Sequence, residues 1–171
     1  MKSLLLWLAL ALGSVLQAQP DTLYVPLEGG VRPLAVVYDA RPDAKDFVLI
    51  GRYAYDTSLV AVELAHRNGR PCGVYRAYFP DGRPLIFAVY GYDMLHGDWS
   101  EYDDLGRITV KGQYRDGKRD GTWAFRGEGI VGHYSKGERH GRWKYYVDGR
   151  LVRVEKYHHG TLKTANPVGR Q

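Results

Sequence analysis

Six histidines, one cysteine and a group of carboxylates are the residues of this chain best equipped for chemistry. His96 and His140 each stand one residue before a Gly-x-Trp triplet, and Asp120 holds the same place between them, so the three supply donor types suited to zinc. If those triplets open successive hairpins, each hairpin advances a sheet by roughly 10 Å, at ~4.8 Å per strand. Zinc ligands sit ~2 Å from the metal, so equivalent positions on successive hairpins cannot share one ion. His158 and His159 are neighbours in a predicted turn and read as solvated side chains. Asp98, Glu101, Asp103 and Asp104 crowd one segment. Paired carboxylates ~5–9 Å apart can hydrolyse glycosides, but this group coincides with a turn. Cys72, in "NGRPCG", has no base beside it in sequence. The chain has no G-x-S-x-G and no phosphate-binding glycine loop. The expectation is a protein that is not an enzyme, with no catalytic residue, no metal site and no cofactor.

The aromatic residues form a second candidate set. Tyr53, Tyr75, Trp99, Trp123 and Trp143 make one column, and Tyr78, Tyr102 and Tyr146 stand three residues further on in three of the units. Two readings stay open. The rings are the core of a thin sheet with few aliphatic residues, or some are exposed as a ladder that stacks on sugars or accepts partner side chains. Tyr and Trp suit both roles, having an apolar body and a polar tip.

The elements that position these residues repeat. Gly-x-aromatic recurs at Gly51, Gly73, Gly97, Gly121 and Gly141, at intervals of 22, 24, 24 and 20 residues. A second glycine follows each of the last four at Gly82, Gly106, Gly129 and Gly149, and a ring precedes each by seven residues at His66, Tyr90, Tyr114 and Tyr134. Tyr157 continues that ring column. "FPDGRP", "YDDLGR" and "YVDGR" are turn sequences, with Gly for positive φ and Asp for local backbone bonds. In "RITVKGQY" apolar or small residues alternate with polar ones, the period-two pattern of a half-buried strand. "GIVGHY" and "PLIFAVY" repeat it, whereas "LVRVEKY" puts Arg153 and Glu155 on the face of Leu151 and Tyr157, so the last unit is expected to lie against solvent. Ala88, Gly112 and Gly132 stand two residues before the ring column. A small residue there leaves a hollow that the Gly-x-Trp ring of an adjacent strand could fill.

The fold class is therefore all-β: an elongated, mainly antiparallel sheet of successive β-hairpin repeats, about five units over residues 51–163 with an N-terminal β cap over 19–50. The cap contains an expected hairpin around Glu28-Gly29-Gly30. The tail, 164–171, is expected to be disordered. The first stretch, "MKSLLLWLALALGSVLQAQP", reads as a signal peptide over residues 1–18, with basic Lys2, an apolar run too short to span a bilayer, and a small residue at Ala18. That reading predicts an exported chain, periplasmic or secreted, with no transmembrane segment after cleavage. Without Lys2 the chain has 23 basic and 19 acidic residues, interspersed along its length, which points to a solvated surface and to no nucleic-acid partner.

The pattern G-x-W-x-x-Y-x-x-x-G followed by Y-x-x-G-x-x-x-G resembles the MORN-repeat variants of bacterial YwqK-type antitoxin-like proteins. "GDWSEYDDLGRITVKGQYRDGKRDG" carries it most clearly. The resemblance implies an elongated array of hairpins that acts as a protein-binding or membrane-associated scaffold. Arg126 departs from the pattern where a tyrosine is usual, and Asp93 where the turn glycine is usual. An exported chain also sits poorly with a cytoplasmic antitoxin. The predicted role is a protein-binding scaffold, with envelope-glycan binding through the aromatic column as the alternative.

Overall fold

The computed structural model describes residues 21–27 and 30–168. The expected signal peptide, and Glu28 and Gly29 of the expected cap turn, lie outside the described residues. Thirteen strands form one sheet in which every strand pairs antiparallel with its neighbour in sequence. The strands are β1 (Asp21–Leu27), β2 (Gly30–Tyr38), β3 (Phe47–Tyr53), β4 (Asp56–Arg67), β5 (Arg70–Tyr78), β6 (Pro84–Gly91), β7 (Met94–Tyr102), β8 (Ile108–Arg115), β9 (Lys118–Phe125), β10 (Ile130–Ser135), β11 (Glu138–Val147), β12 (Arg150–His158) and β13 (Thr161–Pro167). The Gly-x-aromatic starts fall on β3, β5, β7, β9 and β11, and the ring column on the even strands between them. Each of the five units is thus one strand pair. Among the described residues no helix is long and apolar enough to cross a membrane.

Two kinds of turn alternate along the two ends of the strands. On one side lie tight two-residue loops with both residues at positive φ: Asn68–Gly69, Tyr92–Asp93, Asp116–Gly117, Lys136–Gly137 and His159–Gly160. This is the type I′ geometry whose twist matches that of the flanking strands. Glycine at the second position removes the Cβ penalty in four of the five, and Asp93 adopts the same conformation at φ 66° without it. The tips also register on one another. Gly117 N donates to Leu95 O (2.8 Å), Gly137 N to Arg119 O (2.8 Å) and Gly160 N to Arg139 O (3.0 Å), which ties each tip to the unit before it. The other side is mixed: wider turns join β5–β6 and β7–β8, where Phe79 and Asp103 close on Arg83 and Arg107, whereas Asp148–Gly149 between β11 and β12 is again a two-residue loop with both residues at positive φ.

The core occupies one face. Trp99, Tyr114, Trp123, Tyr134, Trp143 and Tyr157 form an unbroken chain of edge-to-face contacts, with centroids 5.0–6.1 Å apart. Such pairs add about 0.5–1.5 kcal/mol each beyond the area they bury. The hollow read from the sequence is present. A Cβ built on Gly112 would lie 2.2 Å from Trp123 Cδ2, and one on Gly132 would lie 2.2 Å from Trp143 Cδ2. Neither glycine has positive φ, so space alone accounts for them. Trp123 Nε1 donates to Gln113 O (3.1 Å) and Trp143 Nε1 to His133 O (3.2 Å), the carbonyl just after each glycine. At the third start Ala88 replaces the glycine, its methyl leaves less room, and Trp99 Nε1 donates instead to Glu101 Oε1 (3.0 Å).

The N-terminal hairpin β1–β2 joins the rest through only three residue pairs, Val36–Tyr38 with Gly51–Tyr53. It folds across the core face of the middle strands, burying Val25, Leu34 and Val36 and placing the Arg32 guanidinium 5.2 Å from the Phe79 ring centre. At the other end, the tail expected to be disordered over 164–171 begins as strand, since β13 runs to Pro167, and residues 169–171 lie outside the described residues. Its backbone pairs with β12, from Arg153↔Pro167 to His158↔Thr161, while all seven side chains stay exposed. Backbone pairing with an open edge needs no apolar side chains, which is why the polar sequence did not reveal it.

Candidate functional site

The aromatic column lies mostly inside. Tyr53 is 5% exposed, Trp99 4%, and Trp123 and Trp143 0%, while Tyr75 is half-buried. Sugar stacking needs an open ring face, and the faces of Trp123 and Trp143 are taken by Gly112, Gly132 and arginine guanidinia. The second set divides. Tyr78 Oη donates to Glu63 Oε2 (2.8 Å), and Tyr78 O accepts from Tyr53 Oη (2.8 Å). Tyr102 and Tyr146 sit half-buried at bulges on the wide-turn side. Tyr102 lines an open groove of about 600 Å³ between the folded-over hairpin and β6–β8, with Leu27, Pro33, Phe79 and Glu101.

The carboxylate segment is dispersed by the fold. Glu101 is buried on the core face, Asp98 is exposed on the reverse face, and Asp103 accepts from the backbone N–H groups of Leu105 and Arg107 and from Arg107 Nε. Those bonds hold the Asp103 carboxyl below the usual carboxylate range, as expected of a residue fixing its own turn.

Among the described residues, no strand covers the core face of β9–β12. Three arginines lie over its rings. Arg119 Cζ stands 4.8 Å from the Trp123 centre and 5.3 Å from Tyr134, and Arg139 Cζ 4.1 Å from Trp143 and 5.4 Å from Tyr157. Arg153 Cζ stands 4.1 Å from Tyr145. Arg139 Nη1 also donates to the hydroxyls of Tyr157 (3.2 Å) and Tyr145 (3.3 Å). Glu155 was expected on a solvent-facing unit but is only 8% exposed. It accepts from Tyr145 Oη and Tyr157 Oη and pairs with Arg153 Nε at 3.2 Å. It occupies the column of Gly112 and Gly132, and the residue opposite it on β13 is Ala165, so no indole covers it. Burial and the bond to Glu155 push the Tyr145 hydroxyl up to about 12.

The tyrosine hydroxyls, aided by Arg153 and Arg139, hold Glu155 below the ordinary carboxylate range despite its burial. A depressed folded value means that the stabilisation is present above the unfolded value and is lost as pH falls through the folded one. Glu155→Gln is therefore expected to lower stability at pH 7 by about 1–3 kcal/mol. The gap to wild type should narrow below about pH 4.5, where the unfolded carboxyl takes up its proton. Melting curves from pH 7 to 3 check this, and a gap independent of pH would show that the charge of Glu155 is not what the tyrosines hold.

The sequence reading missed this arginine layer. Its signal was available, because Arg119 and Arg139 occupy the same repeat position, four residues before each tryptophan in "GKRDGTW" and "GERHGRW". The chain matches no family model, and no curated protein matches it.

Proposed function

We propose that the chain is an exported, non-enzymatic repeat module of MORN-like character that binds another protein, and that the partner presents acidic side chains to the arginine–tyrosine face of β9–β12. The observation that carries this reading is the difference between the two halves of the core face. The N-terminal half is covered by β1–β2, whereas the C-terminal half is covered by side chains, with Arg139, Tyr145 and Tyr157 half-buried and Arg153 exposed. Arg, Tyr and Trp are the residues that dominate binding energy at protein interfaces. Charge supports an acidic partner, since residues 138–168 hold seven lysines and arginines against three carboxylates. A complementary charged patch raises association rates and selects partners.

The test is affinity capture from the exported fraction with wild type, Arg153→Glu and Arg139→Gln, each checked by its melting curve. One captured protein, lost or weakened at least tenfold in both variants and weakened by salt, is the expected result. Capture that is indifferent to both variants, or saturable binding to an envelope glycan alone, would remove the proposal.

A further inference from the structure

We propose that His140, His158 and His159 form a binding site for one divalent transition-metal ion, Zn(II) or Cu(II), at the C-terminal end of the sheet. This inference does not depend on the protein-binding reading. The ring centres of the three imidazoles lie 5.5 Å (His140–His158), 5.2 Å (His140–His159) and 4.4 Å (His158–His159) apart. With Zn–N at about 2.0–2.1 Å, each ligating ring centre sits roughly 3 Å from the metal, so tetrahedrally arranged rings have centres about 5 Å apart.

The geometric objection raised from the sequence holds for His96 and His140, which belong to different units. It does not apply to the trio, because β11 and β12 are directly paired and the next turn brings the last ring back. Nor do His158 and His159 point to opposite faces as strand neighbours would. His159 has φ 47° as the first residue of a type I′ turn, which breaks the strand alternation and sets the two rings against each other.

A second observation points the same way. In the two preceding units the residue at the His140 position caps the turn that follows. Asp116 N donates to His96 Nδ1 (3.4 Å), and Lys136 N to Asp120 Oδ1 (3.4 Å). The corresponding atom, His140 Nδ1, is enclosed and has no hydrogen-bond partner. An enclosed, unbonded imidazole nitrogen beside two other imidazoles is a ready donor for a metal. Glu138 Oε2, 3.6 Å from His159 Nδ1, is placed to orient that ring or to complete the ligand set. Among the described residues no three donors already surround one point, so binding requires the exposed His158 and His159 side chains to rotate onto the ion. Imidazole donors and the affinity order of divalent metals favour Cu(II), then Zn(II), over Mg(II) or Ca(II).

The test is calorimetric titration of the full chain, carrying no polyhistidine tag, with ZnCl₂ and CuCl₂. One equivalent should bind per chain and raise the melting temperature. His158→Gln and His159→Gln, both at exposed positions, should each weaken binding at least tenfold, as should His140→Asn, which keeps a polar side chain there. Absence of saturable binding for both metals, or affinity unchanged in the three variants, would overturn the site and leave the trio as turn residues.

Discussion

Trp143→Ala is expected to destabilise the protein by about 3–5 kcal/mol, the range for deleting a fully buried large aromatic side chain. Trp143 has 0% exposure and contacts the next ring on each side, Tyr134 at 5.0 Å and Tyr157 at 6.1 Å between centres. It also carries the Arg139 guanidinium and the indole bond to His133 O. The site cannot collapse easily, because the flanking strands are held at fixed spacing by the backbone ladder and Gly132 offers no side chain to fill the void. Chemical denaturation followed by far-ultraviolet circular dichroism measures the loss. A cost under about 1 kcal/mol would mean that the edge-to-face chain is not the core.

Gly132→Ala should approach that effect from the opposite side, with an expected loss of about 2–3 kcal/mol from overpacking. Its methyl would lie 2.2 Å from Trp143 Cδ2, 2.3 Å from Cε2 and 2.6 Å from Cε3, well inside contact distance of a ring that has no free space. Backbone strain cannot account for such a loss, since Gly132 lies outside the positive-φ set. The double variant separates the causes. In the Trp143→Ala background the Gly132→Ala methyl enters the vacated space, so the second substitution should become neutral or mildly stabilising, a coupling of about 2–3 kcal/mol. Additive losses would contradict the knob-in-hollow arrangement. Ala88 shows the natural form of the compromise, since Trp99 beside it gives its indole N–H to Glu101.

The arginine layer follows from the same arrangement. A one-layer sheet must cover its aromatic face with something other than a second sheet, and the two ends use different means. The N-terminal end uses the β1–β2 hairpin. The C-terminal end uses guanidinia, which stack flat on rings while leaving charge at the surface. Glu155 gives Arg153 and Arg139 a buried counter-charge and closes the ladder where the tryptophans end.

Much of this was legible in the residues alone. Strand count per unit, the turn glycines and the pairing of Gly112 and Gly132 with a tryptophan follow from local rules, because hairpin turns need positive φ, strands alternate at period two, and a bulky ring needs a small neighbour. These constraints act within about 25 residues and so recur visibly along the chain.

What only the tertiary structure decided depends on direction and register. The sequence placed Trp123 and Trp143 in a column but left open whether that column faced inward, and the fold buries both. It put Glu155 on a solvent-facing unit, but the β11–β12 pairing sets it opposite Trp143 and beneath two tyrosine hydroxyls. The three histidines looked separate because one lies in β11 and two around the next turn. A positive φ at His159, invisible in residue type, turns its ring toward the other two. The hairpin β1–β2 folds over the core through a three-pair hinge that no periodicity announces. A repeating sequence specifies its unit because the unit is held together by neighbours. Which face is covered, and by what, depends on contacts between residues far apart in the chain.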